Sequence, residues 1–250
     1  MVQSHTSGKG RVESSPNGWK LTLFPQESGY ALAQVDDYTG LPRSAFPHHA
    51  GIRLQVRMQA SRAHIPGTWG FGLWNDPFSL SLGFGGGTRR LPALPNAAWF
   101  FFASPQNHLS FRDDQPGCGA LASAFSSPGL PPLLLGAAIP ALGAALWHPA
   151  GRALRHLAGR VIQQDNHTLE IDVTQEHLYA LHWHAGGISW EVDGKQVHHS
   201  TCSPRPPLGL VLWVDNQYAA WRPDGRIQFG VLPVTDVLEI RICDFLLTHD

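Results

Sequence analysis

Glu176-His177-Leu178-Tyr179-Ala180-Leu181-His182-Trp183, continuing through Ile188-Ser189-Trp190-Glu191-Val192-Asp193-Gly194, reads as a β-hairpin. Apolar residues alternate at Leu178 and Ala180, and again at Ile188, Trp190 and Val192, which is the period of a half-buried strand. Ala185-Gly186-Gly187 forms the first turn and Asp193-Gly194 a second, where glycine supplies the positive φ that tight hairpins need.

Further strands flank it. Residues 1–17 are polar and read as a flexible lead-in. From Gly18 a period of two begins, with Trp19, Leu21 and Leu23 on one face. Residues 30–35 are a second strand, and residues 52–58 alternate apolar with charged or polar side chains, as one wet and one buried face of an antiparallel sheet require. Residues 67–76 place Trp69, Phe71 and Leu73 on one face and Gly70, Gly72 and Trp74 on the other; alternating glycines mark a close approach by backbone or ligand. Residues 96–103 are almost wholly apolar, residues 108–113 read as another strand, and residues 237–242 alternate cleanly. Gly83 to Gly87 is a glycine-rich loop without the strand and helix of a nucleotide site. Many short strands with turns between them predict an all-β, two-sheet sandwich spanning residues 18–250.

Residues 116–166 break this rhythm and are expected to form a helical insertion. Within it, residues 149–164 read as an amphipathic helix. Leu154, Leu157, Val161, Ala150 and Ala158 form its apolar stripe, and Arg152, Arg155 and Arg160 lie off it. The insertion is a cap on the sandwich, an apolar lid over a cleft, or an interaction surface; membrane contact through residues 130–160 is a further reading.

Composition narrows the function classes. The 250 residues include nine Trp and twelve Phe, and only 15% are charged, where about a quarter is usual. A net charge of −1 with His neutral offers no basic field for nucleic acid. Three cysteines fit no zinc spacing and read as free thiols. The first fifteen residues contain no apolar run, so a cytoplasmic protein is expected.

The hairpin also resembles that of family 16 glycoside hydrolases and their concanavalin A-like relatives, which carry His-x-Tyr-x-x-x-Trp followed by Ile-x-Trp-x-Val-Asp-Gly. The matching residues are His177, Tyr179, Trp183, Ile188, Trp190, Val192, Asp193 and Gly194. The resemblance implies a concanavalin A-like jelly roll and a glycan-binding cleft. A structural calcium ion is implied by the resemblance alone. Retaining glycosidases need two carboxylates about 5–5.5 Å apart, and the family places its acids on one strand, aimed at one face. By chain order that strand is residues 97–104, which holds Trp99, Phe100, Phe101 and Phe102 and no carboxylate. Glu170 and Asp172 imitate the motif and would share a strand face, but they directly abut the hairpin instead of lying upstream of it.

What remains is an aromatic lining. Trp69, Trp74, Trp99, Phe101, Trp183, Trp213 and Trp221, with Asp215, fall on segments that border the cleft in the resembling family. Flat aromatic faces stack on sugar rings or less polar small molecules. The leading expectation is a ligand-binding protein or an enzyme of different chemistry. An active glycoside hydrolase using Glu170 and Asp172, and a partner-binding domain using the insertion, are the alternatives.

Overall fold

The computed structural model describes residues 2–77, 93–129 and 148–249. In chain order its strands begin β1 (Gln3–Ser7), β2 (Gly10–Ser15), β3 (Gly18–Leu23), β4 (Leu32–Asp36), β5 (Ile52–Ala60), β6 (Thr68–Trp74), β7 (Ala97–Ala103) and β8 (Gly119–Ser126). Helix α1 (His148–Val161) follows, then β9 (Gln163–Thr168), β10 (His177–His184), β11 (Gly187–Val192), β12 (Lys195–Ser200) and β13 (Gly209–Asp215). The hairpin β14 (Gln217–Trp221) and β15 (Ile227–Val231) precedes the closing strand β16 (Leu238–His249).

Two seven-stranded antiparallel sheets form a jelly-roll sandwich. The first runs β1-β4-β13-β6-β7-β8-β9 and the second β12-β11-β10-β5-β16-β3-β2. Period-two alternation sets what lies between them. In β5, Ile52, Leu54, Val56 and Met58 are buried while Arg53, Gln55 and Arg57 are only partly so. From the first sheet, Phe71, Leu73, Phe100, Leu210 and Leu212 meet Tyr179, Leu181, Trp183 and Trp190 of the second. Each such large side chain removed from water contributes about 1.5–3 kcal/mol.

The opening hairpin forms as β10 and β11, with Trp183 paired to Ile188 and Tyr179 to Val192. Its core face is Tyr179, Leu181 and Trp183, one residue out of step with the Leu178 and Ala180 face expected from sequence. A one-residue slip reverses every side chain of a strand, and residues 178–181 are all apolar or aromatic, so periodicity alone does not choose. Asp193 and Gly194 adopt φ of 51° and 75°, as a type I′ turn requires. Asp193 accepts from the Leu178 backbone N–H and pairs with the His177 ring at 2.7 Å, which ties together the two ends of the hairpin motif.

Three expectations on organisation are corrected. Residues 3–15 are not a lead-in: β1 and β2 form the outer edge of each sheet. Edge strands face water and carry little apolar signal, so their polar composition hides them. Residues 116–166 are not wholly helical, because β8 and β9 belong to the first sheet. The small Ala and Ser residues of β8 lie beside the bulky Trp99, Phe100 and Phe101 of β7. Residues 108–113 form no strand: His108 makes one isolated bridge to Ala220, and the rest are irregular, bend or turn. The glycine run 83–87 and the apolar stretch 130–147 lie outside the described residues.

Helix α1 also sits differently. Arg155 is its buried residue, together with Gly151, whereas Leu157 and Val161 of the expected inner stripe are exposed. The reason is a polar socket: Arg155 reaches the carbonyls of Ser110, Phe111, Arg112 and Trp221.

Candidate functional site

The face of the first sheet that points away from the second carries Thr68, Gly70, Gly72 and Trp74 from β6. Ala97, Trp99 and Phe101 come from β7, and Val211, Trp213 and Asp215 from β13. The two glycines shape it. A Cβ on Gly72 would lie 2.4 Å from Trp99 Cβ, and one on Gly70 would lie 3.3 Å from the Trp213 ring, so the indoles of the flanking strands lie across β6. The result is an aromatic floor. Trp74 and Trp213 are parallel within 2° at 6.4 Å, Trp99 lies 5.7 Å from Trp213, and Phe101 lies 5.1 Å from Trp99.

Most of the floor is covered. Tyr38, Phe46 and Leu94 pack on it, as do Leu109, Phe111, Ala158 and Ile162. Trp99, Phe101 and Trp213 are buried, and Trp74 is partly exposed. The indole N–H groups of Trp74 and Trp99 are buried without an acceptor among the described residues. A buried donor left unpaired costs about 1–3 kcal/mol, so two on one face call for an explanation.

Asp215 closes one end. Its Oδ1 accepts from the Thr68 backbone N–H (3.2 Å), the Thr68 hydroxyl (2.9 Å) and the Gln217 N–H (3.3 Å). Oδ2 receives one long bond, 3.4 Å from the Tyr30 hydroxyl. Trp213 Nε1 donates to the Thr68 oxygen at 3.0 Å, so a relay joins the floor to this carboxyl. Burial pushes Asp215 up from 3.8 to about 7, against the lowering pull of Thr68, Gln217 and Tyr30. Tyr30 is raised well above its ordinary value by burial and by Asp215.

The structure separates the residues proposed from sequence. Trp74, Trp99, Phe101, Trp213 and Asp215 share this face. Trp69 does not: it stacks on Phe102 at 3.8 Å between the sheets. Trp183 is fully buried in the same core, its N–H bound to Ser203. Trp221 clamps α1, donating from Nε1 to the Gly151 carbonyl at 3.1 Å. Glu170 and Asp172 are not on a strand. Both are exposed, and Asp172 caps a turn by accepting from the Thr174 N–H and hydroxyl, which hold its carboxyl below the ordinary range. Tyr30, Thr68 and Phe125 were not expected at the site. Thr68 was legible by parity with Trp74, whereas Phe125 sits in a strand of small residues that carries little signal.

Acids on this face are sparse. The strands of the first sheet direct two carboxylates outward, Asp36 and Asp215. They are four residues apart along neighbouring strands, hence about 13 Å or more. That exceeds the roughly 5–9.5 Å of either glycosidase geometry. Asp36 is committed to Gln34, to the Tyr38 and Thr39 N–H groups and to the Thr39 hydroxyl. Residues 78–92 and 130–147 contain no Asp or Glu. Among the described residues no three His, Cys, Asp or Glu side chains gather to hold a metal, so a carboxylate-rich calcium cage does not fit there. Burial pushes the Cys202 thiol up to about 11, away from reactivity. No helix among the described residues is long and apolar enough to cross a membrane.

No family model and no curated protein matches the chain. Solved structures do. One, described for endo-acting O-glycanases that members of the human gut microbiota express to initiate mucin breakdown, is 13% identical. It covers 98% of this chain and 84% of its own, with a TM-score of 0.51. The likeness is one of fold, a concanavalin A-like jelly-roll sandwich. A Bacillus licheniformis β-glucanase (12% identity, 100% of this chain and 92% of that one, TM-score 0.47) also matches. So does a legume lectin-like domain from Entamoeba histolytica (8%, 100% and 90%, 0.47). On this concanavalin A-like scaffold, β7 points Ala97, Trp99 and Phe101 outward where the resemblance expects acids.

Proposed function

We propose that this protein binds a neutral saccharide on the aromatic floor, at its Trp74 end, and does not cleave it through paired carboxylates. The observation that carries the reading is the pair of buried indole donors, Trp74 Nε1 and Trp99 Nε1, set in an aromatic surface without acceptors among the described residues. A sugar offers what such a surface lacks: ring C–H faces to stack on the indoles and oxygens to accept their N–H groups. The likeness to glycan-acting structures is in keeping with this ligand class but concerns the fold. The approximately 13 Å between the outward carboxylates of the first sheet argues against the standard hydrolytic pair.

Isothermal titration with β-glucan and galactan oligosaccharides, run beside a reducing-end assay, tests the reading. Wild type is expected to bind without releasing reducing ends, and Trp74→Ala to bind at least tenfold more weakly. Reducing ends released by wild type and lost in Glu170→Gln would replace the reading with an active hydrolase. Equal affinity in Trp74→Ala would move the ligand off the floor.

A further inference from the structure

Helix α1 is held by charge and hydrogen bonds more than by apolar contact. Arg155 is 1% exposed. Its Nε donates to the Trp221 carbonyl at 2.9 Å, and Nη1 to the Phe111 carbonyl at 3.0 Å and to Asp113. Nη2 reaches the Ser110 carbonyl at 2.8 Å, the Arg112 carbonyl at 3.2 Å and His108 Nε2 at 3.3 Å. Gly159 lies against the Phe111 carbonyl. Ala158 and the adjoining Ile162 pack on the floor cluster, while Leu157 and Val161 face outward.

We propose that α1 is a proton-operated cover: when His108 takes up a proton, the helix loosens from the sheet and the floor beneath Ala158 and Ile162 is uncovered. The geometry sets the mechanism. A neutral His108 with its proton on Nδ1 accepts from Arg155 at Nε2. Protonation puts an N–H there, so donor faces donor and cation faces cation. The charged groups facing the ring are Arg155 from α1, Arg222 at the end of β14 and Asp113 from its own loop. Asp113, the one anion of the three, is already bound to Arg155. The ring has little room to turn away, because a Cβ on Gly117 would lie 2.7 Å from it.

His108 is accordingly held below 6.5, by burial first and then by Arg155 and Arg222, with Asp113 pulling the other way. Undocked, it titrates near its ordinary value. Between those two values the undocked state holds more protons. Docking is therefore fully present above about pH 6.5, weakens as pH falls below it, and levels off once the docked ring is also protonated. The consequence for ligand access rests on the saccharide reading; the undocking does not.

Hydrogen exchange of the residue 148–161 amides, corrected for intrinsic rates from pH 7.5 to 5.0, tests it. In wild type the opening constant is expected to rise several-fold toward pH 5, by no more than about tenfold per pH unit for one proton. His108→Gln, which keeps an acceptor near Nε2 and does not titrate, is expected to be flat. Arg222→Gln, which removes a surface cation facing the ring, is expected to make the rise smaller, because the docked ring then takes up its proton at a higher pH. A flat wild-type profile, or an unchanged pH response in His108→Gln, would overturn the cover. Titrating the same samples with oligosaccharide separates the two ideas: pH-dependent exchange without binding leaves the cover and removes the ligand, and binding with flat exchange does the reverse.

Discussion

Asp215→Asn should match wild type in stability below about pH 4 and exceed it increasingly up to pH 8. Folding moves this carboxyl from water to the end of the aromatic floor and raises it from 3.8 to about 7. Between those values the unfolded chain is ionised while the native carboxyl keeps its proton. Stability from this group is thus fully present below about pH 4, is lost as pH rises toward 7, and is level above. At about 1.4 kcal/mol per pH unit the gap sets a ceiling near 4 kcal/mol. The side chain is partly exposed, and water reaching it lowers the figure, so a difference of about 2 kcal/mol at pH 8 is the expectation. Asn keeps an oxygen for Thr68 and Gln217 and presents its amide to the Tyr30 hydroxyl. Urea unfolding at half-unit steps from pH 3.5 to 8.5 reads the effect directly. With a slope of about 2 kcal/mol per molar, the midpoint of the variant should lead by roughly 1 M at pH 8. Parallel profiles for the two proteins would refute the claim that burial governs this carboxyl.

Gly72→Ala should destabilise the fold by about 1–3 kcal/mol or more, read as a lowered thermal midpoint, because its Cβ would meet the Ala98 carbonyl at 2.3 Å and Trp99 Cβ at 2.4 Å. Arg155→Met should cost the helix socket about 1–3 kcal/mol or more by leaving its buried carbonyls without their donor, while the half-exposed Asp113 turns to water. The expected readout is rapid tryptic cleavage at Arg152 and Arg160 with the strand signal in circular dichroism retained; a variant as resistant as wild type would show that apolar packing holds α1.

The sandwich was legible where alternation is strict. Residues 52–58 become β5 and residues 237–242 fall largely within β16, with the inward faces that the pattern names. Legibility failed where a physical effect hides the period. The register of β10 was lost among consecutive apolar residues, and the edge strands β1 and β2 look like a tail because both sit at the rims of sheets. The face of α1 was misread because a buried arginine satisfied by carbonyls outweighs two leucine-sized side chains in placing the helix. At the site, parity already held more than was used. Trp69 and Trp74 are five apart on one strand and must face opposite ways, so only one of them lies on the floor. Trp183 shares its face with Tyr179 and Leu181, which places it in the core.

The missing acids and the aromatic floor are physically one feature. In β7 the inward residues Ala98, Phe100 and Phe102 are what the sandwich needs, and the outward ones are free to change without touching that core. A carboxylate at position 99 would be ringed by Trp74, Phe101, Phe125 and Trp213. There its ionised form would lack partners, and a buried charge without partners is driven neutral. Asp215 at the rim, with four donors, is already raised to about 7. A deeper acid with none could not serve as the ionised nucleophile of a retaining mechanism. Once the floor is dry enough to hold indoles without acceptors, it can recognise a flat, oxygen-bearing ligand, but it can no longer support the ionised half of a carboxylate pair.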